Sequence, residues 1–573
     1  MSIAIAQMRI FPGQPQKNKK HMLKMIQGAK ESNAEMIIFP ELCLSGLLLG
    51  DLYDSNYFLE ECIESGREIA AAALDIKIIF GNLYREGEKL FNSVFLGEAG
   101  QLKRLNPAVG NSRIVGSYDI FSGAEPERTY DFILDGKVCR LGFCLGNFSL
   151  TDYPFATESP DILVDLSVKP VFLDKPDLQK PSLTCRFISL NCIGMQSSGK
   201  TNYCFSGGSY FQNPDGKIVA LGNTFTEGLY FWGCEDNKIS LFPVKNEHFP
   251  EALCMGLEYF LQSINCKRAV IGLSGGVDSA LAACIYTQVL GPDNVYLLSM
   301  PSRFNSATTK KLAAYLAASL GCPYSEMSIE SQVNFFLSGL RDTDFVNQQE
   351  KRTSLEISGP VMENIQARDR MRILAATAAS LDAIFTCNGN KAELSVGYAT
   401  FYGDLAGAFA AQADLWKYQV YQAIDFFHSM YPDSPLDKIA ALRPSAELSP
   451  EQDVEKGLGD PLHYEYHDFL LRSWVEEAKD IANTLEAYLQ NKLENEIGCA
   501  NGLVTKLFPN SNAFITDLEY WWRMYRGTGV AKRLQSPPLL ALSSHPFGEP
   551  KSQVQGPVWF SNEYEKLKHK ACK

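Results

Sequence analysis

A run of small residues interrupted by one carboxylate, "SGGVDS", occupies positions 274–279, directly after the apolar stretch Ala269–Leu273. A glycine-rich turn between a strand and a helix points several free backbone N–H groups at one spot, where the helix dipole adds partial positive charge. The small side chains would let a phosphate lie close to the backbone, whereas Asp278 would repel it unless a Mg²⁺ ion bridged the two. The residues predicted to hold the phosphates of a nucleotide are Ser274, Gly275, Gly276, Asp278 and Ser279.

The pattern of predicted strands and helices that must position this turn changes near residue 246. The first 245 residues contain many short apolar runs bounded by Gly, Pro and Asn, which is typical of strands in an α/β sandwich. Later residues form strand–helix units with long amphipathic helices, which predicts a doubly wound parallel sheet with ligands at the carboxyl ends of its strands. We therefore predict an α/β protein with two domains, 1–245 and 246–573. Residues 341–360 are polar and lack periodicity, which predicts a mobile loop or lid.

Composition narrows the class of protein. The 573 residues carry a net charge of −13, which argues against a nucleic-acid binder that works through bulk electrostatics. No apolar run approaches the roughly 18 residues of a membrane span, and the start "MSIAIAQMRIFPG" predicts a strand and no signal peptide. The 15 cysteines include no CxxC pair, as in proteins with reduced, buried thiols. These features predict a cytoplasmic protein with neither nucleic-acid nor membrane partners.

The absence of a Walker signature and six later segments indicate which type of ATP-using enzyme the chain resembles. No Gly-Lys-Ser/Thr follows the turn, so the Walker signature is absent. The turn instead resembles the loop of ATP-pyrophosphatases, which cleave ATP between the α and β phosphates. The segments that follow it in order are "MPSRFNS" (300–306), "ENIQARDRM" (363–371), "NGNKAELSVGYATFYGDLAGAFA" (388–410), "DLWKYQVY" (414–421), "RPSAEL" (443–448) and "KRLQSPP" (532–538). Together they closely resemble NAD⁺ synthetases of the two-domain, glutamine-dependent kind.

This resemblance implies a role for individual residues of the second half. Glu393 would join Asp278 as a Mg²⁺ ligand, and Met300 would lie against the adenine of ATP. Asn388 stands where the family usually has Thr, and it can still donate and accept hydrogen bonds. The remaining implied residues are Asn364 and Arg368 at deamido-NAD⁺ or the nucleotide phosphates, Asp404 and Lys417 at the nicotinate end and the phosphates, and Ser445 with Lys532 closing the site.

The implied reaction is an ATP-dependent amidation. ATP would convert the carboxylate of deamido-NAD⁺ into an acyl-adenylate with release of pyrophosphate, and ammonia would then displace AMP. Two other functions stay open: an ATP-pyrophosphatase that amidates a different substrate, and a non-catalytic sensor of NAD or ATP. The segments around residues 363–371 and 388–410 argue against the first, and the Asp278–Glu393 pair argues against the second.

The first half resembles the nitrilase-like amidase domain of the same enzymes. "IIFPELCLSG" (37–46) matches the strand that presents the catalytic glutamate, here Glu41, and "LGFCLGN" (141–147) lies where the nucleophilic cysteine is expected, here Cys144. Such a site needs a glutamate base, a lysine for the oxyanion and a cysteine that forms a thioester. An ungapped count from Gly100 puts the lysine position at Ala108, and Lys103 reaches it only through a five-residue slip.

Two interpretations of the first half therefore compete. In one, Glu41 and Cys144 belong to a working amidase that supplies nitrogen from glutamine. In the other, the domain keeps its fold without the activity, and the second half uses free ammonia; Lys169 standing where the family has Ser favours this alternative. The domain would then persist for its packing at subunit contacts, which predicts a homo-oligomer, a dimer or larger.

Overall fold

The computed structural model describes residues 3–87, 89–105, 108–109, 129–146, 159–174, 183–232, 249–549 and 554–572. The chain forms two compact units, one of Met1–Gly256 with Ala541–Ser544 and the other of Leu257–Leu540 with His545–Lys573. The division falls inside helix α3 (Phe249–Ser263). The domain limits expected from the sequence, 1–245 and 246–573, remain predictions.

The first unit is built around two large β-sheets and a further small sheet. Its helices are α1 (Pro15–Glu31) and α2 (Asn56–Ala71), and its strands are β1 (Ile3–Gln7), β2 (Met36–Ile38), β3 (Lys77–Glu86), β4 (Lys89–Glu98), β5 (Gln101–Leu105), β6 (Ala108–Val109), β7 (Thr129–Leu134), β8 (Lys137–Leu145), β9 (Ile162–Asp165), β10 (Arg186–Ser189), β11 (Ile193–Ser198), β12 (Thr201–Ser206), β13 (Tyr210–Gln212), β14 (Ile218–Leu221) and β15 (Gly228–Trp232). One large sheet has the order β15-β1-β2-β3-β4-β5, and the other has the order β14-β13-β10-β9-β8-β6 with β7 paired to β8. Strands β11 and β12 pair antiparallel in the small sheet.

Alternation along the strands explains the layers of this unit. Ile3 and Ile5 point from β1 into the same cluster as Phe143 of β8, so the two sheets pack face to face. Ala4, between those two isoleucines, packs on the other side of β1 in a cluster with Met22 of α1. The sandwich expected from the sequence is confirmed.

A late segment of the chain completes the first unit. The carbonyl of Leu542 accepts a hydrogen bond of 2.6 Å from the N–H of Leu173. The N–H of Ser544 donates to Oδ1 of Asp174 at 2.8 Å, and its hydroxyl donates to the other oxygen of that carboxylate. Ala541–Ser544 is thereby fixed to the loop after β9.

The second unit contains a parallel sheet and many helices. Its strands are β16 (Ala269–Gly272), β17 (Val295–Ser299), β18 (Tyr324–Glu326), β19 (Asp344–Val346), β20 (Arg352–Ser354) and β21 (Ile384–Phe385), with β22 (Leu539–Ala541) crossing the division. Its helices are α4 (Val277–Leu290), α5 (Ala307–Leu320), α6 (Glu330–Arg341), α7 (Gly359–Ser380), α8 (Lys391–Val396), α9 (Lys417–Met430), α10 (Leu436–Ala440), α11 (Tyr464–Val475), α12 (Ile481–Leu489), α13 (Leu493–Ile497), α14 (Leu503–Leu507), α15 (Ser511–Arg526), α16 (Thr528–Gln535) and α17 (Asn562–Ala571).

The order of the parallel strands locates a ligand site. The sheet runs β18-β17-β16-β21, and each neighbouring pair is parallel. The chain moves outward from β16 to β18 and then returns to the other side of β16, which makes a topological switch point between β16 and β21. This parallel order confirms the predicted fold class of this half. Ligands of doubly wound folds bind at the carboxyl ends of the strands beside such a point.

The prediction for residues 341–360 is wrong in one respect. This segment is not irregular throughout, because β19 and β20 form an antiparallel hairpin in which Phe345 pairs with Thr353. Every residue of both strands is exposed, so the hairpin lacks the apolar alternation that would have revealed it in the sequence. Its predicted mobility stays a prediction. Among the described residues, no helix is long and apolar enough to cross a membrane.

Gly275 should be intolerant of any side chain. Its φ is +88°, and a Cβ atom there would lie 2.2 Å from the carbonyl oxygen of Thr309. We expect Gly275→Ala to displace the turn and to abolish nucleotide binding, measured by titration calorimetry with ATP.

Gly291 provides the matched control at the other end of α4. It also has a positive φ of +77°, but nothing lies within 4 Å of the position of its Cβ. Gly291→Ala should therefore cost only backbone strain, about 1–3 kcal/mol for a φ of +77° with a ψ of +153°, and should leave ATP binding intact. Equal loss of binding in both variants would contradict the steric argument.

Candidate active site

The turn after β16 is held by its own hydroxyl groups. The Ser279 hydroxyl accepts from the N–H of Ser274 at 3.2 Å and donates to the carbonyl of Gly276 at 3.0 Å. The Ser274 hydroxyl in turn accepts from the N–H of Gly276 at 3.2 Å. The turn is thus fixed before any ligand arrives, and the first amides of α4, which lack intrahelical partners, open toward the carboxyl end of β16.

Two carboxylates that are distant in sequence meet around one ammonium group. Nζ of Lys417 lies 2.5 Å from Oδ2 of Asp278 and 4.0 Å from Oε1 of Glu393. Burial and the neighbouring Asp278 raise the pKa of Glu393 to about 8. Burial alone would lower the pKa of Lys417, but the two carboxylates outweigh it and raise the pKa. These three side chains come from the first turns of α4, α8 and α9.

Asn390 fixes both carboxylates from a position that the sequence argument passed over. Its amide Nδ2 donates to Oδ1 of Asp278 at 3.1 Å, and its backbone N–H donates to Oε2 of Glu393 at 3.2 Å. The same side chain caps α8 by accepting from the N–H of Glu393. A capping box typical of a helix start therefore also sets the geometry between the two acids.

One cavity of about 260 Å³ joins these groups to an apolar slot. The predicted site residues that line it are Ser274, Asp278, Ser279, Met300, Asn388, Glu393 and Asp404. Leu298, Met371 and Leu374 line it too, so a flat ring could pack on the Met300 side while charged groups gather on the Asp278 side. The cavity has the apolar body and the few convergent polar groups expected of a nucleotide site.

The donor set fits a magnesium ion. Asp278 and Glu393 both border the cavity, and carboxylate oxygens are the ligands that Mg²⁺ prefers. Mg²⁺ is commonly held by one or two carboxylates together with water and substrate phosphates, and two carboxylates are what this site offers. Burial and the proximity of Asp278 raise the pKa of Glu393, so a divalent cation held between the two carboxylates would favour their ionised forms.

A second group of predicted residues surrounds the loop 397–404 and does not line the cavity. Nε of Arg368 donates to the carbonyl of Phe401 at 3.0 Å, and Nζ of Lys532 donates to the carbonyl of Gly397 at 2.8 Å. The Thr400 hydroxyl donates to Oδ1 of Asn364 at 2.7 Å. These residues hold the loop that delivers Asp404 to the cavity, and their contact with a substrate stays a prediction.

Ser445 lies in a turn of its own. Its hydroxyl donates to the carbonyl of Gln452 at 2.6 Å and accepts from the N–H of Glu447 at 3.2 Å. It does not line the cavity, whereas its neighbours Ala446 and Leu448 do. Its role in closing the site stays a prediction.

Arg370 and Asn305 are cavity residues that sequence reasoning missed. Nε of Arg370 donates to the carbonyl of Met300 at 3.0 Å, and its NH2 group donates to Oδ1 of Asn305 at 3.2 Å. Burial lowers the pKa of Arg370 to about 10, while Asp404 and Glu447 favour its charge. The only feature of the sequence that could have identified Arg370 as a site residue was its position two residues after Arg368 in the same segment.

Glu41 of the first unit is buried and fully engaged by hydrogen-bond donors. Its Oε1 accepts from the N–H of Val168 at 2.8 Å. Its Oε2 accepts from Nδ2 of Asn92 at 2.7 Å and from the N–H of Gly146 at 3.2 Å. Burial raises the pKa of Glu41 to about 7 despite these donors.

Cys144 lies two residues before Gly146 and faces an apolar cluster. Its side chain packs with Leu163, Phe187 and Tyr210 and has no solvent exposure. Burial and the nearby Asp165 raise the pKa of its thiol well above the usual value. The catalytic role expected for Cys144 stays a prediction.

Models of two protein families match the chain. Residues 250–499 match the NAD synthase family, and residues 2–114 match the carbon–nitrogen hydrolase family. The chain thus carries a region similar to NAD synthases after a region similar to carbon–nitrogen hydrolases. This confirms the predicted resemblance for both halves, and with it the predicted ligase that forms C–N bonds.

Full-length relatives share this arrangement. A glutamine-dependent NAD(+) synthetase of Aquifex aeolicus is 27% identical over 533 residues, which cover 83% of this chain and 89% of the relative. The enzyme of the same name from Synechocystis is 28% identical over 499 residues, with 79% and 85% of the two chains covered.

Two solved structures share the fold over nearly the whole length. A glutamine-dependent NAD(+) synthetase from Cytophaga hutchinsonii superposes with a TM-score of 0.75 at 19% identity and full coverage of both chains. The enzyme of Acinetobacter baumannii, solved with adenosine diphosphate, gives a TM-score of 0.68 at 22% identity, with 97% of this chain and 99% of that chain covered.

The raised pKa of Glu41 makes a pH-dependent contribution to stability. A carboxyl whose pKa rises from 4.5 to about 7 on folding stabilises the folded state below pH 4.5, and this contribution is lost as the pH rises through 7. Glu41→Gln removes the titration. The advantage of the wild type over this variant should therefore shrink by about 3 kcal/mol between pH 4.5 and 7.5. Urea unfolding of the full chain at both pH values measures it, and an advantage that grows with pH would show that Glu41 is held ionised instead.

Proposed function

We propose that this protein amidates deamido-NAD⁺ to NAD⁺ at the expense of ATP, which yields AMP and pyrophosphate. The observation that carries the proposal is the meeting of Asp278 and Glu393 beside the turn at residues 274–279, at the switch point of a parallel sheet. An anion-binding turn and two carboxylates in one cavity fit a nucleotide with its metal. The relatives' names favour deamido-NAD⁺ over another carboxylate as the second substrate.

Different residues of the second unit would bind different parts of the substrates in this reaction. The amides and hydroxyls of the turn would bind the ATP phosphates, and Met300 with its apolar neighbours would hold the adenine. Asp278 and Glu393 would hold Mg²⁺, which offsets the charge that develops on departing pyrophosphate. The substrate carboxylate attacks the α-phosphorus, pyrophosphate leaves, and ammonia then attacks the acyl carbon and displaces AMP.

Lys417 has two partners in this reaction. Its single ammonium group lies between Asp278 and Glu393 and offsets part of their combined negative charge. If those carboxylates held Mg²⁺, the ammonium group would be available to the phosphates, where it would stabilise the transition state electrostatically. The homo-oligomer and the cytoplasmic location expected from the sequence stay predictions.

The full chain, supplied with deamido-NAD⁺, ATP, MgCl₂ and ammonium chloride, should form NAD⁺, AMP and pyrophosphate in equal amounts. Asp278→Asn should lower kcat by about 10²-fold or more, because one metal ligand and the partner of Lys417 lose their charge. Asp293→Asn, an exposed position beyond the far end of α4, is the matched control and should retain full activity. Pyrophosphate release that does not depend on deamido-NAD⁺ would refute the choice of substrate.

A further inference from the structure

We infer that the nitrogen donor of this enzyme is ammonia from outside the chain, because no thiol of the described residues is hydrogen-bonded to Glu41 and that carboxylate instead holds strands of the first unit together. The inference rests on the proposed function and identifies its third substrate. It also assigns Glu41 a structural role instead of a catalytic one.

The described groups that donate hydrogen bonds to Glu41 are main-chain amides and an amide side chain. Val168 follows β9, Gly146 follows β8 and Asn92 lies within β4, so one carboxylate ties the segments after two strands of one sheet to a strand of the other sheet. Among the described residues, the hydrogen-bond donors to Glu41 are these three. A general base must lie within hydrogen-bonding reach of the thiol that it activates, and no such bond joins Glu41 to Cys144.

The residue that faces Glu41 after β8 is a glycine. Gly146 has a φ of +63°, so it forms a sharp left-handed turn directly after the strand. Its backbone N–H, 3.2 Å from Oε2, occupies the position from which a side chain on this turn could reach the base. A glycine has no nucleophile to offer there.

Cys144 cannot take over this role from its own position. Its thiol has no exposed surface and contacts an apolar cluster on the outer side of its sheet. A thioester forms only when sulfur and the amide carbon approach to about 3–3.5 Å, which requires an open path to the thiol. The raised pKa of the thiol also keeps it protonated and weakly nucleophilic.

Among the described residues, the two lysine positions expected from the sequence do not complete a hydrolytic site either. Ala108 pairs with Cys144 in parallel register, so the ungapped lysine position lies beside β8, where this chain has an alanine. Lys103 points its Nζ to the ring of Tyr130 at 5.6 Å, and Tyr130 pairs with Leu141. Leu141 precedes Gly146 by five residues, about 16 Å of strand.

Lys169 is the cation that does lie near this site, and it is already paired. Its Nζ donates to Oδ2 of Asp165 at 2.8 Å, and that carboxylate chiefly raises the pKa of the lysine. An ammonium group neutralised by a neighbouring carboxylate offers little stabilisation to an oxyanion. Within the described part of the unit, a base, a nucleophile and an oxyanion donor are therefore not brought together, and the ammonia would come from a reaction that releases it elsewhere, a deamination or an amide hydrolysis by another protein.

The test compares nitrogen donors with the full chain, freed of ammonium and supplied with ATP, Mg²⁺ and deamido-NAD⁺. Ammonium chloride should support NAD⁺ formation at a rate at least about 100-fold above that with glutamine at equal concentration. Glutamate should not accumulate with glutamine. A glutamate-releasing activity that co-elutes with the protein in gel filtration overturns the inference, whether or not Cys144→Ala abolishes that activity.

A second measurement addresses the thiol directly and needs no variant. Wild-type protein is incubated with 6-diazo-5-oxo-L-norleucine, a glutamine analogue that alkylates amidase cysteines, and its intact mass is determined. We expect no adduct, and an adduct mapped to Cys144 overturns the inference. If neither nitrogen donor gives NAD⁺ or pyrophosphate, the proposed synthetase function fails. Glutamate release and labelling of the thiol still show independently whether the first unit is an active amidase.

Discussion

The second unit depends on one contact, the ammonium group of Lys417 between the carboxylates of Asp278 and Glu393. Two negative charges in a buried space repel each other, so this geometry persists only because a cation and the Asn390 amide compensate them. Each of the three charged residues opens a helix, and the three helices begin at one edge of the sheet. A site of high charge density is thus preformed, in which phosphates and a divalent cation can replace the internal partners.

Each unit contains a buried glutamate, and the environments of these two glutamates differ. Glu393 borders a cavity and faces other charged groups, so a ligand can change its partners. Glu41 is enclosed by backbone amides and an asparagine, and all its partners belong to the fold. A carboxylate with exchangeable partners can take part in binding, whereas one that is saturated by the main chain contributes to the architecture.

Local sequence patterns predicted the turn at 274–279 with Asp278 and the doubly wound sheet, because each is encoded by contiguous residues with a fixed spacing, whereas Glu393 was predicted only through the family resemblance. Arg370 was missed because its partners, Met300 and Asn305, come from another strand end. The β19–β20 hairpin was missed because exposed polar strands show no apolar alternation. The environment of Cys144 could not be read from the chain either, since a shift of two residues decides whether a group lies within the strand or on the turn that meets Glu41.

The segment Ala541–Ser544 has a consequence for biosynthesis. The first unit takes its bonds to Leu173 and Asp174 from residues that leave the ribosome only after nearly the whole second unit has been translated. The sandwich can collapse early around its own strands, but the loop after β9 must wait for its partner. Maturation of the N-terminal half is therefore coupled to completion of the polypeptide, and a truncated translation product would expose that loop to proteases.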